Sequence, residues 1–335
     1  MERLSFTLEY LFSQKMSCLL RRHPKALKLQ CLKNVTTRRN VITTSQSQNL
    51  VFDQRQRIHH LDISSTRKDA HVYDYIKDHV AKEFCDRIDD LKLDSEQLIL
   101  NLGSCSGLIT KNLNPDRVES FIQADVSEKS LSRCRKTDSM LPPKFPIHYM
   151  RCDEENIPLR ENSIDLVMSC LNLHWVNDLV RCFRNVHNIL SDDKAFIGVL
   201  FGGDTLYELR SALQLAELER LSGFSSHVSP KTTGQDVARL LQSCGFQLIT
   251  VDISEVKIHY PSAFELMFDL QGMGENNKSL LGSRHMHRDI LQAAASIYQV
   301  LYGSDDPKKG VPATFQAIHF IGWKNPTKAT PLKSE

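Results

Sequence analysis

The sequence predicts an α/β protein built on a doubly wound, mostly parallel seven-stranded sheet. Three observations carry this. Short apolar runs bounded by turn residues alternate with segments whose apolar residues recur every three or four positions, at intervals that suit strand–helix–strand units. The first run ends in a turn of small residues, Asn101 to Gly107. The second ends in an acid, Asp125, so polar groups collect on the carboxyl edge where such sheets bind ligands.

Taken in order, Val72, Tyr73, Ile76, Val80, Ala81, Phe84 and Ile88 mark one face of an amphipathic helix over 69–90. Residues 97–102 (QLILNL) form the first strand, and helical spacing resumes over 108–113 until Asn114-Pro115 stops it. Residues 121–124 make the second strand, and Ser127 is placed to cap the next helix. Residues 147–150 and 164–169 are the third and fourth strands, 176–190 a helix and 195–201 (AFIGVLF) the fifth strand. Helices over 206–221 and 233–244, the latter closed by Gly245, lead to a sixth strand at 246–251. Helices over 262–271 and 289–302 belong to an insertion of about 258–310, and 314–323 is the last strand. The expected organisation is a presequence at 1–45, a linker with the amphipathic helix at 46–95, the main domain at 96–325 and a polar tail at 326–335.

The presequence reading comes from charge. Residues 1–50 hold nine Lys or Arg against two acids, a net +7 that leaves −5 for the rest of a chain whose total is +2. They are also rich in Ser, Thr and Gln with scattered apolar residues, the composition of a mitochondrial targeting segment; a disordered basic arm is the plainer alternative. The small total charge gives no reason to expect nucleic acid, and no apolar run approaches the 18 or so residues of a spanning helix. Nine widely spaced cysteines contain no C-x-x-C pair, which excludes a zinc ribbon and suits reduced thiols in a reducing matrix.

For chemistry, Asn101, Gly103, Ser104, Cys105 and Gly107 offer backbone N–H groups to a bound small molecule, and Asp125 can accept two ribose hydroxyls. Asp153, after the third strand, adds a polar group on the same edge. His174 is a proton-transfer candidate or a cavity-wall histidine, and Trp175 stands beside it. Asp204, after the fifth strand, either receives a guanidinium or caps a helix. Glu265, Asp269 and Glu275 suit a basic peptide or a solvated face. His60-Leu61-Asp62 and His287-Arg288-Asp289 have H-x-D spacing, but with thirteen histidines the pattern arises by chance, so no metal site is assigned.

The order of elements, the glycine turn, Asp125 and residues 151–159 (RCDEENIPL) resemble the class I S-adenosylmethionine-dependent methyltransferases over about residues 65–325. Residues 171–178 (LNLHWVND) are similar to the subgroup that methylates malonyl carrier protein, which would set His174 and Trp175 at the border of the substrate cavity. Residues 197–210 (IGVLFGGDTLYELR), 264–275 (FELMFDLQGMGE) and 311–314 (VPAT) resemble the mitochondrial arginine hydroxylases that act as assembly factors of respiratory complex I. That resemblance implies a protein on the matrix side of the inner membrane, held there peripherally. It implies hydroxylation of an arginine of a complex I iron–sulfur subunit, with a small stabilising partner protein and S-adenosylmethionine as the implied cofactor.

The glycine turn departs from the pattern D-L-G-C-G-x-G, with Asn101 for the acid and Cys105 for the middle glycine. Asn101 loses the charge that favours the ligand's ammonium. If the turn requires positive φ at Cys105, the cost is about 1–2 kcal/mol. Methyl transfer and a catalytically silent assembly scaffold are therefore the two rival readings.

Overall fold

The computed structural model describes residues 50–91, 96–142, 144–223, 227, 232–280, 286–304 and 309–326. The expected presequence and nearly all of the tail lie outside them. One seven-stranded sheet organises the chain: β1 (Gln97–Leu102), β2 (Val118–Asp125), β3 (Ile147–Arg151), β4 (Ile164–Cys170), β5 (Leu190–Phe201), β6 (Gln247–Tyr260) and β7 (Val311–Lys324). Their spatial order is β3-β2-β1-β4-β5-β7-β6. The first five strands are parallel, whereas β7 runs antiparallel to both β5 and β6. This is the α/β class the sequence predicts, and the chain reverses order between β1 and β4, where ligand crevices form.

Eight helices of the described residues flank it: α1 (Gln54–Thr66), α2 (Tyr75–Asp89), α3 (Glu128–Met140), α4 (Leu179–Ile189), α5 (Tyr207–Leu221), α6 (Gly234–Ser243), α7 (Ala263–Met273) and α8 (Arg288–Tyr302). Strand alternation splits the core in two. Ile99 joins a cluster with Phe84 of α2, Leu209 and Leu213 of α5 and Tyr298 of α8. Leu98, Leu100 and Leu102 face the opposite side with Phe183 and Val186 of α4 and Val237 and Leu241 of α6. Ser127 caps α3 as expected, accepting from the Ser130 N–H, and Thr233 with Asp236 forms a capping box on α6.

Several boundaries differ. The helix expected over 69–90 begins at Tyr75, preceded by a 3-10 turn at Ala70–Tyr73. Residues 108–113 make only turns, because six residues before Asn114-Pro115 are too few to repay helix nucleation. The insertion begins after Tyr260, since β6 pairs with β7 as far as that residue. A helix that periodicity did not show, α1, occupies part of the expected linker; the residues it buries fully are Arg57 and Ser64, both polar. Cys85, Cys134, Cys152, Cys170, Cys182 and Cys244 are all buried, in keeping with cysteines used as small hydrophobes. No helix of the described residues is long and apolar enough to cross a membrane.

Candidate functional site

The carboxyl ends of β1, β2 and β4 form the expected nucleotide edge. Positive φ falls on Gly103 (79°), Ser106 (57°) and Gly107 (77°). Asp125 is buried, and both of its carboxylate oxygens accept hydrogen bonds from the chain itself. Oδ2 accepts from the Ser104 N–H at 3.0 Å, the Ser104 hydroxyl at 2.7 Å and the Ser130 hydroxyl at 3.2 Å, while Oδ1 accepts from the Ser127 N–H at 2.8 Å. Burial pushes this carboxyl above its ordinary value against the pull of those hydrogen bonds. Asn101 is buried within the sheet and donates to Gln123 at 3.0 Å. Asp153 is exposed and accepts from the Glu155 N–H in its own loop. Its neighbour Glu154 is the acid that points inward.

Glu154 meets Arg57 of α1. The two side chains are each 2% exposed, and the guanidinium donates to both carboxylate oxygens at 2.7 and 3.1 Å. Arg57 also donates to Asn172 Oδ1 at 2.7 Å, and Asn172 Nδ2 donates to Glu154 at 2.6 Å. Burial raises the Glu154 carboxyl, but the charge and hydrogen bond of Arg57 outweigh it and hold the group below its ordinary value. Gly103 is needed at this contact. A Cβ there would come within 2.3 Å of Asn172 Cγ and would have to tolerate left-handed backbone.

These side chains decide how S-adenosylmethionine fits. Between Arg57, Gly103, Asp125, Asn172 and Lys278 there remains a hollow of about 30 Å³, room for about one water. Ligand pockets measure about 300–1,000 Å³. With α1 in place the hollow does not fit the cofactor, so no step is derived through it, although the glycine turn and Asp125 stand where the resemblance expects them.

A larger cavity, of about 410 Å³, opens on the other side of Trp175 beneath α5, α7 and α8. Trp175 and Glu275 are the two residues that border both spaces. Glu275 is turned inward by a Schellman ending on α7, in which Gly274 (φ 75°) donates to Gln271 and the Glu275 N–H to Leu270. Its carboxylate accepts from Trp175 Nε1 at 2.6 Å, lies 3.2 Å from His174 Nε2 and 3.2 Å from Lys77 Nζ, and 3.8 Å from Lys278 Nζ. The Lys278 ammonium also sits 3.8 Å above the Trp175 ring. Burial raises the Glu275 carboxyl, yet Lys278 and Lys77 overcome it and drive the group well below its ordinary range. Burial lowers Lys278 to about 7, partly resisted by Glu275. Burial likewise lowers His174, and with Lys278 nearby lowers His60 to about 4, so both imidazoles are neutral at pH 7.

Of the residues singled out in the sequence, His174 and Trp175 lie in this wall. Asp204 does not: it is exposed, does not line the cavity, and bonds the Gln316 amide at 3.2 Å, while the cap position of α5 falls on Leu206. Glu265 is exposed and Asp269 half-buried, accepting from the Tyr75 hydroxyl, but the side chain of Glu275, read with them as a solvated face, is only 8% exposed. Lys77, Lys278, Glu154 and Arg57 carried no chemical signal in the sequence. Among the described residues no group of three or more His, Cys, Asp or Glu is arranged to hold a metal.

A methyltransferase-domain family model matches residues 100–197, the segment from the glycine turn to β5. A Bacillus halodurans protein solved by crystallography and assigned to the methyltransferases superposes with a TM-score of 0.53 at 14% identity, over 73% of this chain and 99% of that one; it shares the fold. The mouse mitochondrial arginine-hydroxylase NDUFAF5 is 42% identical over 274 residues, 82% of this chain and 77% of its own. The chain belongs to the NDUFAF5 family. The zebrafish member is likewise 42% identical, over 284 residues, 84% of this chain and 86% of its own. These relatives carry mitochondrial names, which agrees with a mitochondrial protein.

Proposed function

We propose that the chain is a mitochondrial protein-arginine hydroxylase that acts on an arginine of a complex I iron–sulfur subunit early in assembly. The observation that carries this is its 42% identity, over 82% of its length, to a protein named as an arginine hydroxylase. The reading includes a targeting presequence at 1–45, a peripheral position on the matrix side of the inner membrane and a small stabilising partner. The methyltransferase-domain match over 100–197 supports S-adenosylmethionine as a ligand of the nucleotide edge; α1 must withdraw to admit it.

Inserting oxygen into a C–H bond is a two-electron oxidation that protein side chains do not perform unaided. An external oxidant is therefore part of the proposal, and the chain's share is to bind, orient and shield the reacting arginine. The partition of Glu275, Lys77, Lys278 and Trp175 between the two spaces works against a direct methyl transfer from one to the other, although the methyltransferase-domain match keeps that as the second reading.

The test is peptide mass spectrometry on the arginines of the complex I iron–sulfur subunits, in cells with the protein, without it, and with it restored. One arginine gaining the mass of an oxygen only when the protein is present is the expected result. An added methyl group in place of the oxygen favours the second reading, and no change in any arginine overturns both.

A further inference from the structure

The 410 Å³ cavity is not accounted for by the nucleotide edge, and its lining is chemically selective. Among the described residues that border it, Glu275 is the one Asp, Glu, Lys or Arg. Its carboxylate is held ionised by the charges of Lys278 and Lys77 despite burial. Apolar Leu209, Leu213 and Leu291 and aromatic Phe201, Phe264 and Phe268 share the lining with uncharged polar side chains such as Gln271 and Asn277. A single carboxylate in a lining with apolar and aromatic side chains suits a ligand with a cationic head on an apolar stem.

The Lys278 ammonium already shows what this corner accepts, since it rests on the Trp175 ring and beside Glu275, on the face turned to the hollow. The cavity presents the same indole and the same carboxylate from its own side. His60 Nδ1 and Asn276 Oδ1, on two further residues of the lining, are buried polar atoms with no hydrogen-bond partner among the described residues, and a neutral imidazole keeps one acceptor nitrogen in either tautomer. Rotation of either side chain would let it receive one of the five N–H donors of a guanidinium. An ammonium has three donors and no plane to stack, so it satisfies this arrangement less well.

We propose that this cavity is the receptor for the substrate's arginine side chain, with the guanidinium set against Glu275 and the methylene stem along Leu209, Leu213 and Leu291. The assignment rests on the arginine-hydroxylase reading and locates its substrate. A guanidinium arriving beside Glu275 brings positive charge toward Lys278 and displaces its proton. The other titratable or charged groups that face this point are Lys77 from α2, Arg57 and His60 from α1, His174 from the turn after β4, and His227 with its partner Glu217 of α5. Since Lys278 titrates at about 7, arginine binding should tighten from pH 6 to pH 8, and Lys278→Met should abolish that dependence.

The experiment titrates the full chain with N-acetyl-arginine amide, following Trp175 fluorescence against a Trp175→Phe control, and repeats it with the lysine and citrulline analogues. Arginine should bind at least ten-fold more tightly than either. Glu275→Gln should cost ten-fold or more, as should Leu291→Phe, which fills the cavity without touching the carboxylate and guards against a folding defect in the first variant. Equal binding of citrulline and arginine, or unchanged binding in both folded variants, overturns the assignment. The two readings fail separately. If the wild-type chain binds arginine as expected but no arginine is oxidised in cells, the hydroxylase reading fails and the receptor stands. If arginines are oxidised normally by both folded variants, the receptor fails and the hydroxylase stands.

Discussion

Replacing Arg57 by Met should be among the most damaging single changes in the chain. The guanidinium and Glu154 are each 2% exposed and share two hydrogen bonds, at 2.7 and 3.1 Å. Without Arg57 the Glu154 carboxylate stays buried with Asn172 Nδ2, at 2.6 Å, as its remaining side-chain donor. Breaking one side of a buried pair costs about 3–5 kcal/mol. At roughly 2–4 °C per kcal/mol for a domain of this size, Tm should fall by about 6–20 °C. The double variant Arg57→Met/Glu154→Leu removes both charges and their desolvation together, so it should recover most of the loss. Thermal unfolding followed by far-ultraviolet circular dichroism measures all four members of the cycle. A loss below about 1 kcal/mol in Arg57→Met, or a double variant no better than the singles, would refute the reasoning.

Other outcomes follow from the same geometry. Adding S-adenosylmethionine should speed hydrogen exchange in 54–66, because the hollow of about 30 Å³ requires α1 to move; bound cofactor with unchanged exchange in α1 would show that it does not. Gly103→Ala should destabilise by at least about 1–2 kcal/mol from left-handed backbone alone, with further loss as Asn172 is displaced, readable in chemical denaturation. Lys278 is lowered to about 7 when folded, so the unfolded chain binds the extra proton between that pH and the ordinary lysine value of about 10.4. Stability should therefore rise with pH across this window and flatten in Lys278→Met, which denaturant midpoints at pH 7 and pH 10 will show. Asp204→Ala, at an exposed position off the cavity wall, should change stability by less than about 0.5 kcal/mol and leave arginine hydroxylation at its normal level by mass spectrometry.

The sequence made the sheet legible because buried parallel strands are near-continuous apolar runs, and β1 and β4 are almost wholly buried. It made α1 illegible for the converse reason. Periodicity detects apolar faces, whereas α1 docks through Arg57, Ser64 and the Asp62–Ser127 hydrogen bond. In the loop after β3, composition offers Asp153, Glu154 and Glu155 alike. Which carboxylate turns inward is settled by α1, an element far away in sequence. Glu275 was visible as an acid, but its burial depends on the reversal at Gly274 and on two lysines from separate elements. His174 and Trp175 are placed at the cavity by the resemblance of residues 171–178 to the subgroup that methylates malonyl carrier protein, and both line it.

The position of β7 bears on how the chain can be made. The last of the described strands lies inside the sheet, and among the described residues β6 has no other neighbour in it. Until residues 311–324 emerge, β5 presents an open hydrogen-bonding edge and β6 has nothing to join, a state that invites aggregation. A premature stop shortly before Val311 would thus remove an interior strand and detach strand β6 with it, and a chain threaded amino-end first through a pore must wait for residues 311–324 before the sheet can close.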